Sequence, residues 1–152
     1  MFCSLKHRAV RALLWPLIGL VFLSLTPATN AAESEIWIVA HPSVPADVLK
    51  SSEVQRIFLL KTTVWKNGTP IVPVNREAAS QERLRFSSVV LGVSIRSLSN
   101  YWNRMHFKGF MPPVVQESNA AMIAFVRNVP GAIGYITTDN IPEGVILLAK
   151  IQ

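Results

Sequence analysis

Continuous apolar runs of β-favouring residues recur along the chain and predict its strands. The run Ile36–Ala40 has no polar position, which is typical of a strand buried on both faces, as in a parallel sheet. Similar runs at 71–74, 132–136 and 145–148 predict three more strands, and Val114–Val115 predicts a short one. A proline inside the second run indicates a sheet edge or a strand end there.

Amphipathic stretches lie between these runs and predict helices. Their apolar residues recur every three or four positions, and serines or asparagines precede them as N-caps. The alternation of strands and helices predicts an α/β fold with a mostly parallel sheet flanked by helices. The predicted helices cover 52–60, about 81–91, a stretch from 94 and a stretch to about 128, with N-caps at Ser52, Ser80, Ser94 and Ser118 or Asn119.

The first 31 residues have the pattern of a cleaved secretory signal peptide. A basic start is followed by an apolar run of 14 residues at 12–25, where a membrane-spanning helix needs about 20. Small residues follow, and cleavage is expected after Ala31 or Ala32. An uncleaved membrane anchor is the alternative. We therefore expect a signal peptide at 1–31 and one α/β domain at 32–152, located in the periplasm or outside the cell.

Charge and composition narrow the function of this domain. Outside 1–31 the chain has 12 basic against nine acidic residues, a net charge of +3, and the basic residues are scattered along the sequence. A nucleic-acid partner is therefore not expected. The only cysteine, Cys3, lies in the predicted signal peptide, so no disulfide, cysteine-bound metal or cofactor is expected. Motifs of hydrolases and metalloenzymes are absent from the sequence, and we do not expect an enzyme.

Three stretches resemble the substrate-binding proteins of phosphate ABC transporters. They are Val54–Lys61 with Trp65 after it, then Ile71–Arg76, and finally Pro130–Tyr135. Leu60 stands where the family has a glycine. The resemblance implies a periplasmic-binding-protein fold of reduced size, a phosphate or other small oxyanion as ligand, and an inner-membrane ABC permease or another envelope protein as partner. About 120 residues can make one lobe of the two that clamp the solute in this family, or a trimmed version of both.

The resemblance also implies an anion site after the second strand. Arg76 and Ser80 match the family's anion-binding arginine and serine, and arginine suits two oxygens of one oxyanion. Gln81 and Glu82 stand where the family has Gly-Thr. Glu82 adds negative charge and is expected to weaken a doubly charged anion. The alternative is that Arg76 only makes a surface ion pair and that Ser80 only starts the helix.

Two further ligand-binding candidates, Ser43 and His41, follow the first strand. Open α/β sheets place ligands beyond the carboxyl ends of their strands, and Ser43 is similar in position to the family's first anion-binding loop. Arg76, Ser80 and Ser43, with His41 beside them, are thus predicted to converge on one anion. The competing hypothesis is an interaction module without a ligand, which would use the same fold to dock on a membrane or envelope partner.

Overall fold

The protein forms a five-stranded sheet covered by helices on both faces. The structure is a computed structural model and describes residues 35–152, so the predicted signal peptide lies outside the described residues. Across the sheet the strand order is β3-β2-β4-β1-β5. The elements in chain order are β1 (Ile36–Ala40), α1 (Ser51–Phe58), β2 (Val72–Arg76), α2 (Gln81–Val89), α3 (Ile95–His106), β3 (Val114–Gln116), α4 (Asn119–Asn128), β4 (Ala132–Ile136) and β5 (Ile146–Ile151).

Four of the five strands run in one direction, and β1 runs in the other. β2 pairs in parallel with β3 and with β4, whereas β1 is antiparallel to both β4 and β5. The prediction of a mostly parallel sheet flanked by helices is therefore confirmed. The reading of β1 as a parallel-type strand is wrong, because burial on both faces follows from helices above and below a strand, whatever the direction of its neighbours.

Alternate side chains of β1 pack on opposite faces of the sheet. Ile36, Ile38 and Ala40 pack into a cluster that includes α1, α2 and α3, and Trp37 and Val39 pack into a second cluster that includes α4. This is the two-residue period of a strand with a hydrophobic core on each side. Three helices thus cover one face of the sheet, and α4 covers the other.

A stack of three aromatic rings fills the centre of the larger cluster. The rings of Phe86 and Tyr135 are stacked with centroids 3.9 Å apart, and Phe58 meets both of them edge-on. These rings come from α2, β4 and α1. They fix α2 against the sheet, and with it the amino end of α2 beside the end of β2.

One local prediction needs correction. α1 begins one residue before the expected Ser52, with Lys50 as its N-cap, because the Glu53 carboxylate accepts a hydrogen bond from the Lys50 backbone N–H at 2.8 Å. The proline prediction is confirmed: Pro73 is the second residue of β2, and β3 pairs only with residues 74–76, so at Pro73 the strand has a partner on one side only.

Candidate functional site

The strongest concentration of polar groups lies where β2 and β4 end. Arg76 is the last residue of β2, and Ser80 caps the amino end of α2 four residues later. At the end of β4, Thr137 follows the strand directly, and Ser118 caps the amino end of α4 nearby in the fold. We call this side of the sheet the Arg76 end.

The guanidinium of Arg76 is buried and joins several elements. It donates to the side-chain oxygen of Asn119 at 2.6 Å and to the backbone carbonyl of Glu117 at 3.0 Å. Only 7% of the residue is exposed, and its Nε atom has no hydrogen-bond acceptor among the described residues. Asn119 in turn donates to the Thr137 carbonyl at 3.0 Å. A buried positive charge is thus held between β2, β4 and the start of α4.

Glu82 lies on the solvent side of this charge. Its carboxylate is 3.8 Å from a terminal nitrogen of Arg76, and its side chain is partly exposed. The predicted ion pair of Arg76 is therefore made with Glu82, from the first turn of α2. Beside Glu82 is an open cavity of about 180 Å³, which is lined by Gln81, Glu82, Arg85 and Thr137.

A second layer of buried polar groups supports Arg76 from the core. The backbone N–H of Arg76 donates to the hydroxyl of Tyr135 at 3.0 Å. Burial raises the pKa of Tyr135 to about 12, so this hydroxyl stays neutral at ordinary pH. Behind it, the guanidinium of Arg83 donates to the side chain of Asn75, and burial lowers the pKa of Arg83. These contacts fix the path of β2 up to its last residue.

Both helix caps at the Arg76 end use their serine side chains. The Ser80 hydroxyl accepts from the Arg83 backbone N–H at 3.1 Å, and the Ser118 hydroxyl accepts from the Ala121 N–H at 3.0 Å. Ser80 is thus confirmed as an N-cap, and Ser118 is the cap of α4. The earliest N–H groups of a helix have no partner inside it, so these two ends concentrate partial positive charge beside Arg76.

The structure does not bring Ser43 and His41 to this site. β1 runs against β2 and β4, so the residues that follow it lie where β2 and β4 begin, which we call the Gly131 end. The Ser43 hydroxyl accepts from the Gly131 N–H at 3.2 Å, and Nδ1 of His41 accepts from the Ser43 N–H at 2.9 Å.

The length of β2 separates the two ends of the sheet. β2 spans four residue steps from Val72, which pairs with Ala132, to Arg76. That distance is about 13 Å. One small anion therefore cannot contact both Arg76 and Ser43, and the predicted convergence of Ser43 and His41 with Arg76 is wrong. Of the four predicted ligand-binding residues, the structure brings together Arg76 and Ser80.

Several residues of the site were not identified from the sequence. Arg85 and Thr137 line the cavity but come from different elements, and no local motif links them. The sequence indicates Asn119 as a possible helix cap or as part of a second site at a helix amino end, whereas its side chain bridges Arg76 to β4. The available signal was its position directly after Ser118. Because the serine hydroxyl caps the helix, the side-chain amide of Asn119 can bond to other elements.

Two structural features are absent from residues 35–152. None of the helices there has the length and apolar character that crossing a membrane requires. In the same residues, no three histidine, cysteine, aspartate or glutamate side chains are grouped as a metal site would need.

Comparison with known proteins shows the fold. No protein-family model matches the chain. It is similar to a protein of Clostridium perfringens described as a phosphate ABC transporter substrate-binding protein and solved with bound phosphate, with a TM-score of 0.61 and 23% identity over 76% of this chain and 45% of that one. An ABC-type phosphate transport receptor of Vibrio cholerae matches with a TM-score of 0.59 and 24% identity, over 76% and 46%.

A third structure, PstS of Borrelia burgdorferi, matches with a TM-score of 0.58 and 17% identity, over 76% of this chain and 47% of that one. The chain therefore has the fold of phosphate-type substrate-binding proteins. It spans about half the length of these structures. At such identities the likeness extends to the fold and not to the site residues.

Proposed function

We propose that this protein binds a small oxyanion at the Arg76 end of the sheet, with phosphate as the first candidate. The observation that carries the proposal is the placement of a buried guanidinium between two serine-capped helix ends. Arg76 lies beside the amino ends of α2 and α4, and an open cavity adjoins the amino end of α2. Helix amino ends and arginine are the groups that proteins use most for oxyanions.

The cavity beside Glu82 is the place where we expect the anion. Gln81 and Glu82 begin α2 there, Thr137 offers a hydroxyl and Arg85 offers a second guanidinium. Arg76 lies behind this wall and is connected to it through Glu82 and Asn119. In this arrangement Arg76 contributes its charge from behind the wall, and the first turn of α2 makes the direct contacts.

Glu82 sets the expected strength and selectivity of binding. Its carboxylate faces the same cavity and repels a doubly charged anion more than a singly charged one. The cavity is also open to water, where charge pairs gain little. We therefore expect dissociation constants of about a millimolar, and singly charged anions to be preferred over doubly charged ones.

The wider role follows from export and from the fold. The predicted signal peptide favours a periplasmic location, and the phosphate-type binding-protein fold suits solute capture for an inner-membrane ABC permease. Because the chain has about half the length of the matched structures, the second wall of a closed site would come from elsewhere. A second copy or an envelope partner could provide that wall.

Calorimetric titration with phosphate, sulfate and nitrate tests the proposal. The exported protein is compared with the variants Arg76→Gln and Glu82→Gln. We expect Arg76→Gln to abolish the heat of binding and Glu82→Gln to increase affinity for sulfate about threefold to tenfold, because a negative charge is removed from the cavity. Arg96→Gln, an exposed arginine on α3, is the matched control and should leave binding unchanged.

The Glu82→Gln variant keeps the test independent of folding, since a gain of affinity requires a folded protein. If no variant binds any of the three anions up to tens of millimolar, the oxyanion proposal fails. If Arg76→Gln binds as well as the unaltered protein, the anion is held elsewhere. Circular dichroism confirms that each variant remains folded.

One observation favours the second candidate, an interaction module without a ligand. The terminal nitrogens of Arg76 already bond to Asn119 and to Glu117, and Glu82 lies close to one of them. An arginine with this set of partners serves as a structural bridge without any anion. A partner recovered from envelope extract that still binds the Arg76→Gln variant would support this candidate over the first.

A further inference from the structure

Exposed apolar side chains are concentrated in one short stretch after α3. Phe107 is 90% exposed, Met111 is 66% exposed and Phe110 is 43% exposed. We call residues 107–111 the Phe107 turn. The edge strand that follows it adds Val114 and Val115, each more than 40% exposed. An aromatic ring that is almost fully solvated is unfavourable in water, and a contiguous apolar surface of this kind usually marks a contact site.

The same part of the chain carries positive charge without acidic residues. Between Glu82 and Glu117 there are 34 residues with five lysines and arginines, one histidine and no aspartate or glutamate. Three of the five are exposed: Arg96, Arg104 and Lys108. The domain has a modest net charge, but this segment contains basic residues and no acidic ones.

Helix geometry places these exposed charges in a row. Arg96 and Arg104 are eight residues apart on α3, a rotation of about 80° around the helix, and Lys108 follows in the turn, so all three lie on the exposed part of this segment. Leu98 marks the opposite, buried side of the helix. Phe107 follows Arg104 by three residues and therefore faces the same way. The basic residues, which look scattered in the sequence, become a basic row that leads to the Phe107 turn.

We propose that the basic row and the Phe107 turn dock this protein on an anionic phospholipid surface. Phe107 and Met111 would enter the interfacial region, and the three basic side chains would face the lipid phosphates. This combination of apolar and basic groups is the one by which peripheral proteins bind membranes. The proposal is independent of the oxyanion site and uses none of its residues.

The shape of the surface favours a membrane over a peptide partner. An amphipathic helical peptide docks in a groove, and the cavities near α1, α2 and α3 are lined by residues other than Phe107 and Met111. Phe107 and Met111 instead project from a turn that closes at Gly109, whose φ is 81°. Projecting apolar side chains with a row of cations beside them match a flat, negatively charged and deformable surface.

Hydrogen exchange in the presence of lipid vesicles tests this proposal at the proposed site. The exported protein is mixed with vesicles of phosphatidylcholine alone or of equal parts phosphatidylcholine and phosphatidylglycerol, and amide exchange is measured by mass spectrometry. We expect protection of residues 104–116 with the anionic vesicles only. Raising the salt from 0.1 to 1 M should remove it, because the Debye length falls from about 10 Å to about 3 Å.

Variants of the same chain separate the two contributions. Replacing Arg96, Arg104 and Lys108 by glutamine should weaken vesicle binding about 100-fold, since each basic residue near an anionic surface contributes about fivefold. The double change Phe107→Ser and Met111→Ser should weaken it about tenfold. The matched control is Val48→Ser with Lys61→Gln, an exposed apolar and an exposed basic residue outside this surface, which should change nothing.

The proposal is overturned by either of two results. Binding that is equal for all variants, or that gives no protection at 104–116, would place any lipid contact elsewhere on the protein. Protection of 104–116 that appears without vesicles and grows with protein concentration would identify a second copy of the chain as the occupant. Every substituted side chain is exposed, so circular dichroism should show the folded state in all variants.

Discussion

The two ends of the sheet contain similar residue types and use them differently. At the Gly131 end, the Ser43 hydroxyl and the Trp65 indole both bond to the backbone of Gly131, and the strands are locked together. At the Arg76 end, Ser80 and Ser118 cap helices around a buried positive charge. One end is closed by backbone contacts, and the other presents the amino end of α2 to a cavity.

The difference follows from the direction of the strands. Helices that follow parallel strands begin at the carboxyl ends of those strands, so their positive ends collect on one side of the sheet. β1 runs in the opposite direction, and the residues after it reach the side without helix amino ends from α2 or α4. A serine after a strand therefore indicates an anion site only when the direction of that strand is known.

The largest effect is expected from Gly131→Ala at the closed end. Gly131 has a φ of 80°, and an added Cβ would collide with the backbone carbonyl oxygen of Pro70. We expect a loss of about 3 kcal/mol in the free energy of unfolding, from backbone strain and steric overlap together. Urea unfolding followed by circular dichroism measures it.

Gly68→Ala is the matched control for this prediction. Gly68 has a φ of 84° and open space around its Cα, so its substitution should cost only the conformational strain, about 1 kcal/mol. Equal losses at positions 68 and 131 would show that the Gly131 end is not closely packed, and the contrast between the two ends would disappear.

A pH-dependent effect of about 2–3 kcal/mol is expected from Tyr135, which supports the Arg76 end. Its pKa is raised to about 12 from 10, because burial disfavours the phenolate. The unfolded chain ionises first, so stability is intact below pH 10 and falls as the pH rises towards 12. We expect this loss in the unaltered protein and not in Tyr135→Phe.

Unfolding of both proteins at pH 8, 10 and 11.5 measures the effect. At pH 8, Tyr135→Phe should be less stable by about 1 kcal/mol, because the Arg76 N–H loses its acceptor. Tyr101 also has a raised pKa, but it is present in both proteins and cancels in the comparison. Parallel pH curves for the two proteins would contradict the prediction.

Removing a cap at the open end should have a smaller effect on stability and a distinct effect on binding. Ser80→Ala loses the hydrogen bond from the Arg83 N–H, and we expect a loss of about 1 kcal/mol. It should also weaken anion binding, since the start of α2 frays. Ser118→Ala removes the cap of α4, which does not line the cavity, and should destabilise equally with little effect on the anion.

The smallest effect is expected from Ser43→Ala at the closed end. The hydroxyl makes one bond at 3.2 Å on a partly exposed surface, so we expect a loss of about 0.5–1 kcal/mol. Anion affinity should be unchanged, because this residue lies a strand length away from Arg76. A tenfold loss of anion affinity on this substitution would return Ser43 to the binding site.

Local patterns were sufficient for most of the fold. β1 and β4 lie where their apolar runs predict, and Ser80, Ser94 and Ser118 cap helices as expected, because burial and capping leave a direct trace in the sequence. The direction of β1 leaves no such trace, since helices cover both faces of the sheet in either case.

The candidate site was only half predictable for the same reason. Arg76 and Ser80 are four residues apart and share one turn, so their proximity is local. The cavity wall formed by Arg85 and Thr137, and the bridge from Asn119 to Arg76, depend on how distant elements pack. Ser43 was placed wrongly because a correct local pattern was combined with an incorrect strand direction.

The reversed direction of β1 also determines where a tag or a surface linkage can be attached without covering the cavity. β1 starts and β5 finishes at the Arg76 end, where Ile36 pairs with Ile151. An affinity tag added before residue 35 would emerge two strands, about 10 Å, from Arg76, and one added after Gln152 would emerge three strands, about 14 Å, from it. Attachment of the protein to a sensor surface by such a tag would crowd the cavity beside Glu82. Coupling through a cysteine introduced at the exposed Thr63, near the start of β2, would orient the cavity towards solution.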